Sequence, residues 1–163
     1  MPFGYEMQTG EKTYLLFTFK LPSNFTISKV ELQVQHCPIT WTESGTTKAT
    51  GYTRNIKMYK GTNSSWKYTI DAWSYTFGIP AHSTEVKDSG GTNNVLGANG
   101  WTGSNSGVTK TTVTIPNSNI STTDENIFIL ESTIASSASG TNIYNYTGAA
   151  AASIDIYGYT KLS

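Results

Sequence analysis

The chain has 163 residues, a formal net charge of zero and a pI near 6.7. That length suits one domain, and the neutral balance removes the electrostatic case for nucleic acid or an anionic membrane as a partner. The single cysteine, Cys37, excludes an intrachain disulfide and a thiolate metal cluster, and no apolar run is long enough to span a bilayer.

About a third of the chain is Ser, Thr or Asn, and aliphatic residues are sparse. Ten tyrosines and four tryptophans supply the apolar area that the aliphatics do not. The opening MPFGYEMQTGEK lacks the basic start and apolar stretch of a signal peptide. It reads as the start of an excised piece, so that residues 1–163 are expected to form one domain at the C-terminal end of a larger protein.

The strand signals follow in chain order. TYLLFTFK (13–20) is dense in aromatics. In SKVELQVQH (28–36), Val30, Leu32 and Val34 alternate with Lys29, Glu31, Gln33 and Gln35. His36 continues the inward set as a core histidine, and Cys37 follows as a small buried residue. RNIKMYK (54–60) sets Ile56 and Met58 opposite Lys57 and Tyr59, and it holds the one small basic cluster, Arg54, Lys57 and Lys60. WKYTIDAWSYTF (66–77) is a long strand, bent or bulged. VTKTTVTI (108–115) turns Val113 and Ile115 inward. TDEN (123–126) caps the start of the next strand rather than forming a calcium loop. NIFILES (126–132) is apolar on both faces, as a central strand requires. Ala149 to Ala152 reads as close packing of small residues. SIDIYGYTK (153–161) turns Ile154 and Ile156 inward and Tyr157 and Tyr159 outward.

About seven strands and no substantial helix predict an all-β, two-sheet antiparallel sandwich, with a jelly roll as the natural arrangement. An eighth strand is expected from Phe3 to Met7 or from inside a loop. The absence of crossover helices excludes a parallel sheet.

The connections 37–53, 78–107 and 133–152 are long, and strand alternation sends all three out at one end of the sandwich. They carry Trp41, Tyr52, His82, Trp101, Tyr144 and Tyr146 among many amides and hydroxyls. Aromatic rings stack on the apolar face of a sugar while amides and hydroxyls match its hydroxyl groups, so these six residues are the candidate ligand-binding set. Trp101 sits within GANGWTGSNSG (97–107), either as the anchor of its loop or as a displayed ring. Trp41, Trp66 and Trp73 also have a plain reading as core or strand-face residues.

Catalysis requires converging titratable groups. The carboxylates Glu43, Asp71, Glu85, Asp88, Asp124, Glu125, Glu131 and Asp155 are scattered, and His36 and His82 have no ligand spacing between them. The expectation is therefore a non-enzyme with no cofactor and no metal.

TYLLFTFKLPSNFTISKVELQVQHCPITW followed by GYTRNIKMYKGTN, and the closing AAAASIDIYGYTKLS, resemble modules in tail, baseplate and minor structural proteins of phages that infect Gram-positive bacteria. The first stretch is also similar to jelly-roll surface modules of bacteria. The resemblance covers about the first third and the last strand, and it transfers no binding residue. It implies a β-sandwich at the end of a larger assembly, often a homotrimer, in the virion. Such a module touches host cell-wall glycan or holds other phage structural proteins. The alternative is a carbohydrate-binding module of a secreted bacterial enzyme or adhesin, outside the cell or on its surface.

Overall fold

The computed structural model describes residues 2–3, 10, 12–36, 40–43, 46–49, 52–61, 79, 83–93, 101–102, 109–137 and 150–161. Among these, the strands are β1 (Pro2–Phe3), β2 (Lys12–Phe19), β3 (Phe25–His36), β4 (Thr40–Glu43), β5 (Thr46–Ala49), β6 (Tyr52–Gly61), β7 (Ser83–Val86), β8 (Trp101–Thr102), β9 (Thr109–Ile115), β10 (Asn126–Ser137) and β11 (Ala150–Thr160). Asn117–Asn119 forms a short 3-10 turn.

Two antiparallel sheets form the sandwich. Sheet A has the order β1-β11-β3-β9, and sheet B has the order β2-β10-β6-β7 with β8 also on β6. β4 and β5 form a separate hairpin. β7 pairs with Met58–Gly61 and β8 with Thr53 and Arg54, so the two share one edge of β6 as an interrupted strand. With β7 and β8 counted as one strand and the hairpin set aside, the strands run 1-8-3-6 in one sheet and 2-7-4-5 in the other.

The alternation in the sequence specifies the core. Val30, Leu32, Val34, Ile56, Met58, Val113, Ile115, Phe128 and Leu130 are buried between the sheets. Phe19 and Phe128 stack with centroids 6.0 Å apart. The sequence-expected core residues Val30, Leu32, Val34, Ile56 and Ile129 are fully buried, whereas Ile154 is only half-buried. Ile129 lies on the other face of β10, against Tyr14, Leu16, Ile79 and Ile127. β10 is thus apolar on both faces because it is the central strand of a sheet covered on both sides.

Register fixes the two ends. His36, Ala150 and Thr109 lie level in sheet A, and Tyr52 and Ser137 lie level in sheet B. The connections 37–51, 103–108 and 138–149 join strands at this end. The connections 20–24, 62–82 and 116–125 join strands at the other.

Three expectations change. Residues 37–53 and 78–107 are not bare loops: the first contains β4, β5 and the start of β6, and the second contains β7 and β8. These strands are two to four residues long, too short for periodicity to register. Ala150–Ala152 are the first residues of β11 rather than packing ahead of it, paired with Val34, Gln35 and His36. Arg54 does not join an exposed basic cluster. It is fully buried, and its Nη1 donates to Ser132 Oγ at 2.7 Å. It has the inward parity of Ile56 and Met58, while Lys57 points to solvent. The strand expected at 66–77, with Trp66 and Trp73, and residues 4–7 lie outside the described residues, as do Cys37 and the side chain of His36.

Local chemistry explains the strand ends. Buried Asn126 at the start of β10 accepts the Ser121 N–H at 2.7 Å and donates to the Ser121 carbonyl at 2.8 Å. This closes the turn as a strand cap. Residues 88–92 turn tightly, with the Gly91 N–H on the Asp88 carbonyl and Gly91 at φ 82°. From that turn the Ser89 N–H reaches the Thr114 carbonyl of β9 at 3.1 Å. The turn therefore bridges sheet B to sheet A along one side of the sandwich.

Candidate functional site

The six sequence candidates divide. Trp41 lies in β4, in register with Lys48. Tyr52 opens β6 opposite Ser137, and Trp101 opens β8 opposite Arg54. The backbone therefore brings Tyr52 and Trp101 within two residues of each other along one edge, at the end where the long connections meet. Trp101 belongs to a strand rather than to a free loop. His82, Tyr144 and Tyr146 lie outside the described residues.

A better-defined surface is the outer face of sheet A. Outward positions alternate on β3 (Lys29, Glu31, Gln33), and register places them beside Tyr157, Asp155 and Ser153 of β11. The Lys29 ammonium lies 2.9 Å from Glu31 and 4.4 Å from the centroid of the Tyr157 ring. Gln33 donates to Asp155. Among the described residues, Tyr157 and Tyr159 are the exposed large apolar side chains, at 42% and 56%. They stand on the same face because β11 keeps its alternation through the irregularity at Tyr157/Gly158, where the extra residue, Ser28, is on β3.

The electrostatics order this surface. The hydrogen bond from Lys29 holds the Glu31 carboxyl below its ordinary range, with Lys110 assisting. The same bond holds Lys29 up. Desolvation, and then Glu31, push the Tyr157 hydroxyl up, so the ring is a neutral donor at neutral pH. These charges are partnered on the surface, which leaves ring faces, an amide and hydroxyls to meet a ligand.

Gly158 makes the surface possible. A Cβ there would lie 2.2 Å from the Thr26 carbonyl oxygen and 2.6 Å from the Phe25 ring. Only glycine lets β11 pass so close to the end of β3 between the two tyrosines.

The second polar cluster lies on the outer face of sheet B. Glu131 is buried at the centre of β10, with Lys12 Nζ 3.3 Å from its Oε2 and a hydrogen bond from Tyr14. Burial and the Glu131 charge raise the Tyr14 hydroxyl. Burial, Glu131 and Glu85 raise Tyr59, against the pull of Asn93. Tyrosines raised in this way are donors, not bases, and the carboxylate is already engaged by an ammonium and a hydroxyl. The geometry is that of a satisfied ion-pair network. Among the described residues, no three His, Cys, Asp or Glu side chains converge as metal ligands.

No protein-family model, curated protein or solved structure matches the chain.

The sheet A surface was half legible beforehand. Both sets of outward residues follow from period-2 alternation, but the register that sets Tyr157 beside Lys29 is a long-range property.

Proposed function

We propose that this chain is a non-catalytic recognition domain of a phage appendage, a tail or baseplate component of the virion, that contacts host cell-surface polysaccharide. We propose further that its 1-8-3-6 and 2-7-4-5 strand orders are those of a jelly roll, a frame that recurs in lectin and viral structural domains. The observation that carries the reading is the open face of sheet A: Tyr157 and Tyr159 are exposed side by side, and their polar neighbours are already paired. Rigid aromatic rings on a strand lose little conformational entropy on binding. The phage context rests on the resemblance of the first third and the last strand.

A non-catalytic role is supported by the Glu131 cluster, whose carboxylate is engaged by the Lys12 ammonium and the Tyr14 hydroxyl.

The test is binding of the purified domain to Gram-positive cell-wall polysaccharide, with the single variants Tyr157→Ala, Tyr159→Ala and Trp101→Ala. Loss of binding in the two tyrosine variants with an unchanged melting temperature supports the sheet A face. Loss only in Trp101→Ala transfers the site to the end of the sandwich where the long connections meet. Wild-type protein that binds no polysaccharide refutes the reading.

A further inference from the structure

Among the described residues of its strands, the outer face of sheet A carries two ammonium groups and two carboxylates: Lys29 and Glu31 on β3, Lys110 on β9 and Asp155 on β11. The charges balance, but their placement around the exposed rings does not. The Lys29 ammonium is engaged twice, 2.9 Å from Glu31 Oε1 and 4.4 Å from the centroid of the Tyr157 ring. Glu31 also takes a hydrogen bond from the Tyr157 hydroxyl. Asp155 stands two residues before Tyr157 on the same strand and accepts the Gln33 amide. Lys110 is in register with Gln35, six residues along β3 from Lys29. Lys161 follows the last ladder pair, Thr160 with Phe25. Both carboxylates are therefore next to Tyr157, and the ammonium that shares their place already has a partner.

A phosphate or carboxylate brought over Tyr157 meets Glu31 and Asp155 at close range. Like charges repel even in a high dielectric, and drawing Lys29 away to meet the incoming anion would leave Glu31 without its ammonium. A ligand ammonium would have to replace Lys29 both at Glu31 and on the ring. A sugar hydroxyl meets neither obstacle. It can donate to a carboxylate oxygen that already has one partner, and it can accept from an amide or a hydroxyl. Such neutral groups lie in the adjoining row, where Ser153, Gln33 and Thr112 stand in register across β11, β3 and β9, with Ser153 and Thr112 exposed. On the other side, Thr26 lies opposite Tyr159.

We infer that the ligand of this face is an uncharged saccharide segment, and that Glu31 and Asp155 are specificity-determining residues that reject phosphate- or carboxylate-bearing wall polymers. The inference rests on the recognition reading above and names its ligand class. Discrimination of this kind works by repulsion: the rings attract any sugar, and the two carboxylates exclude the anionic ones.

The test is calorimetric binding of the intact chain to Gram-positive wall polysaccharide before and after hydrofluoric acid removes its phosphate, and to poly(glycerol phosphate). The phosphate-free polysaccharide should bind at least as tightly as the untreated one, and its affinity should change by less than about twofold between roughly 50 and 500 mM salt. Poly(glycerol phosphate) should bind at least about tenfold more weakly, and Glu31→Gln combined with Asp155→Asn should raise its binding several-fold. Loss of binding on phosphate removal, a steep fall of affinity with salt, or a double variant that still rejects poly(glycerol phosphate) as wild type does overturns the inference and leaves polysaccharide recognition standing. A chain that binds none of these polymers fails the recognition reading itself, and this inference with it.

Discussion

Gly158→Ala tests the close crossing of β11 over the start of β3. In most strands this substitution stabilises, since alanine recovers roughly 0.5–1 kcal/mol that glycine loses in backbone entropy. Here the added methyl would lie 2.2 Å from the Thr26 carbonyl oxygen and 2.6 Å from the Cε1 and Cζ of Phe25. The ring can turn aside, but the carbonyl is main chain and is held in the β3–β11 ladder, where Thr26 pairs with Tyr159. Relief requires the two strands to separate locally, and overpacking of this kind costs about 1–3 kcal/mol, which exceeds the entropic gain. The net expectation is a loss of about 1–2 kcal/mol in urea unfolding with an unchanged m-value. Trimming the ring should not rescue it: Gly158→Ala in a Phe25→Ala background keeps most of the penalty because the carbonyl clash remains. A stabilised Gly158→Ala, or full rescue by Phe25→Ala, would refute the crossing. Since Gly158 separates Tyr157 from Tyr159, the variant should also weaken polysaccharide binding.

Leu32→Ala removes a fully buried side chain at the middle of sheet A and should cost about 2–5 kcal/mol by chemical denaturation; a loss under about 0.5 kcal/mol would mean the inner face is misassigned. Ser132→Ala leaves the buried Arg54 Nη1 without its hydroxyl acceptor and should cost about 1–3 kcal/mol, more than an exposed serine such as Ser153→Ala, read from the same urea curves. The Glu31 carboxyl is held down in the folded protein, so its contribution is present above the unfolded carboxylate pKa and lost as pH falls through the folded value. The stability gap between wild type and Glu31→Gln should therefore narrow as pH falls from neutral through and below the ordinary glutamate range, and a gap that stays constant would show that Lys29 does not select the ionised form.

The legible part of the fold was the part written in alternation. Val30, Leu32 and Val34 against Lys29, Glu31 and Gln33 gave β3 its two faces, and the doubly apolar NIFILES marked β10 as a central strand. What alternation does not encode is short or long-range. β7 has four residues and β8 two, and both exist because they share one edge of β6 rather than through any pattern of their own. Charge alone groups Arg54 with Lys57 and Lys60, whereas its parity with Ile56 and Met58 points inward. Loops are the usual place for recognition, which favours the aromatics of the long connections over those of a strand. The tyrosines of the last strand were visible as outward residues, but their setting depends on a cross-strand register that no local pattern encodes.

The difference between the two sheets explains why sheet A is the better place for a ligand. The outer face of sheet B is more occupied: Ile129 is fully buried with Ile79, Leu16 and Ile127 packed against it, and Glu131 beside it is engaged by Lys12 and Tyr14. A ligand there would have to displace packed apolar groups and an ion pair, losing both for whatever it gained. On the outer face of sheet A the charged side chains beside Tyr157 are held laterally, Lys29 by Glu31 and Asp155 by Gln33. A sugar laid across Tyr157 and Tyr159 displaces water from two ring faces and breaks no internal hydrogen bond. Its hydroxyls can then share acceptors and donors already aligned along β3 and β11. Binding energy on such a face is gained mainly by stacking, so each single tyrosine variant should weaken polysaccharide affinity by about 0.5–1.5 kcal/mol. Glu31→Gln, which changes charge but leaves both rings in place, should weaken it by less.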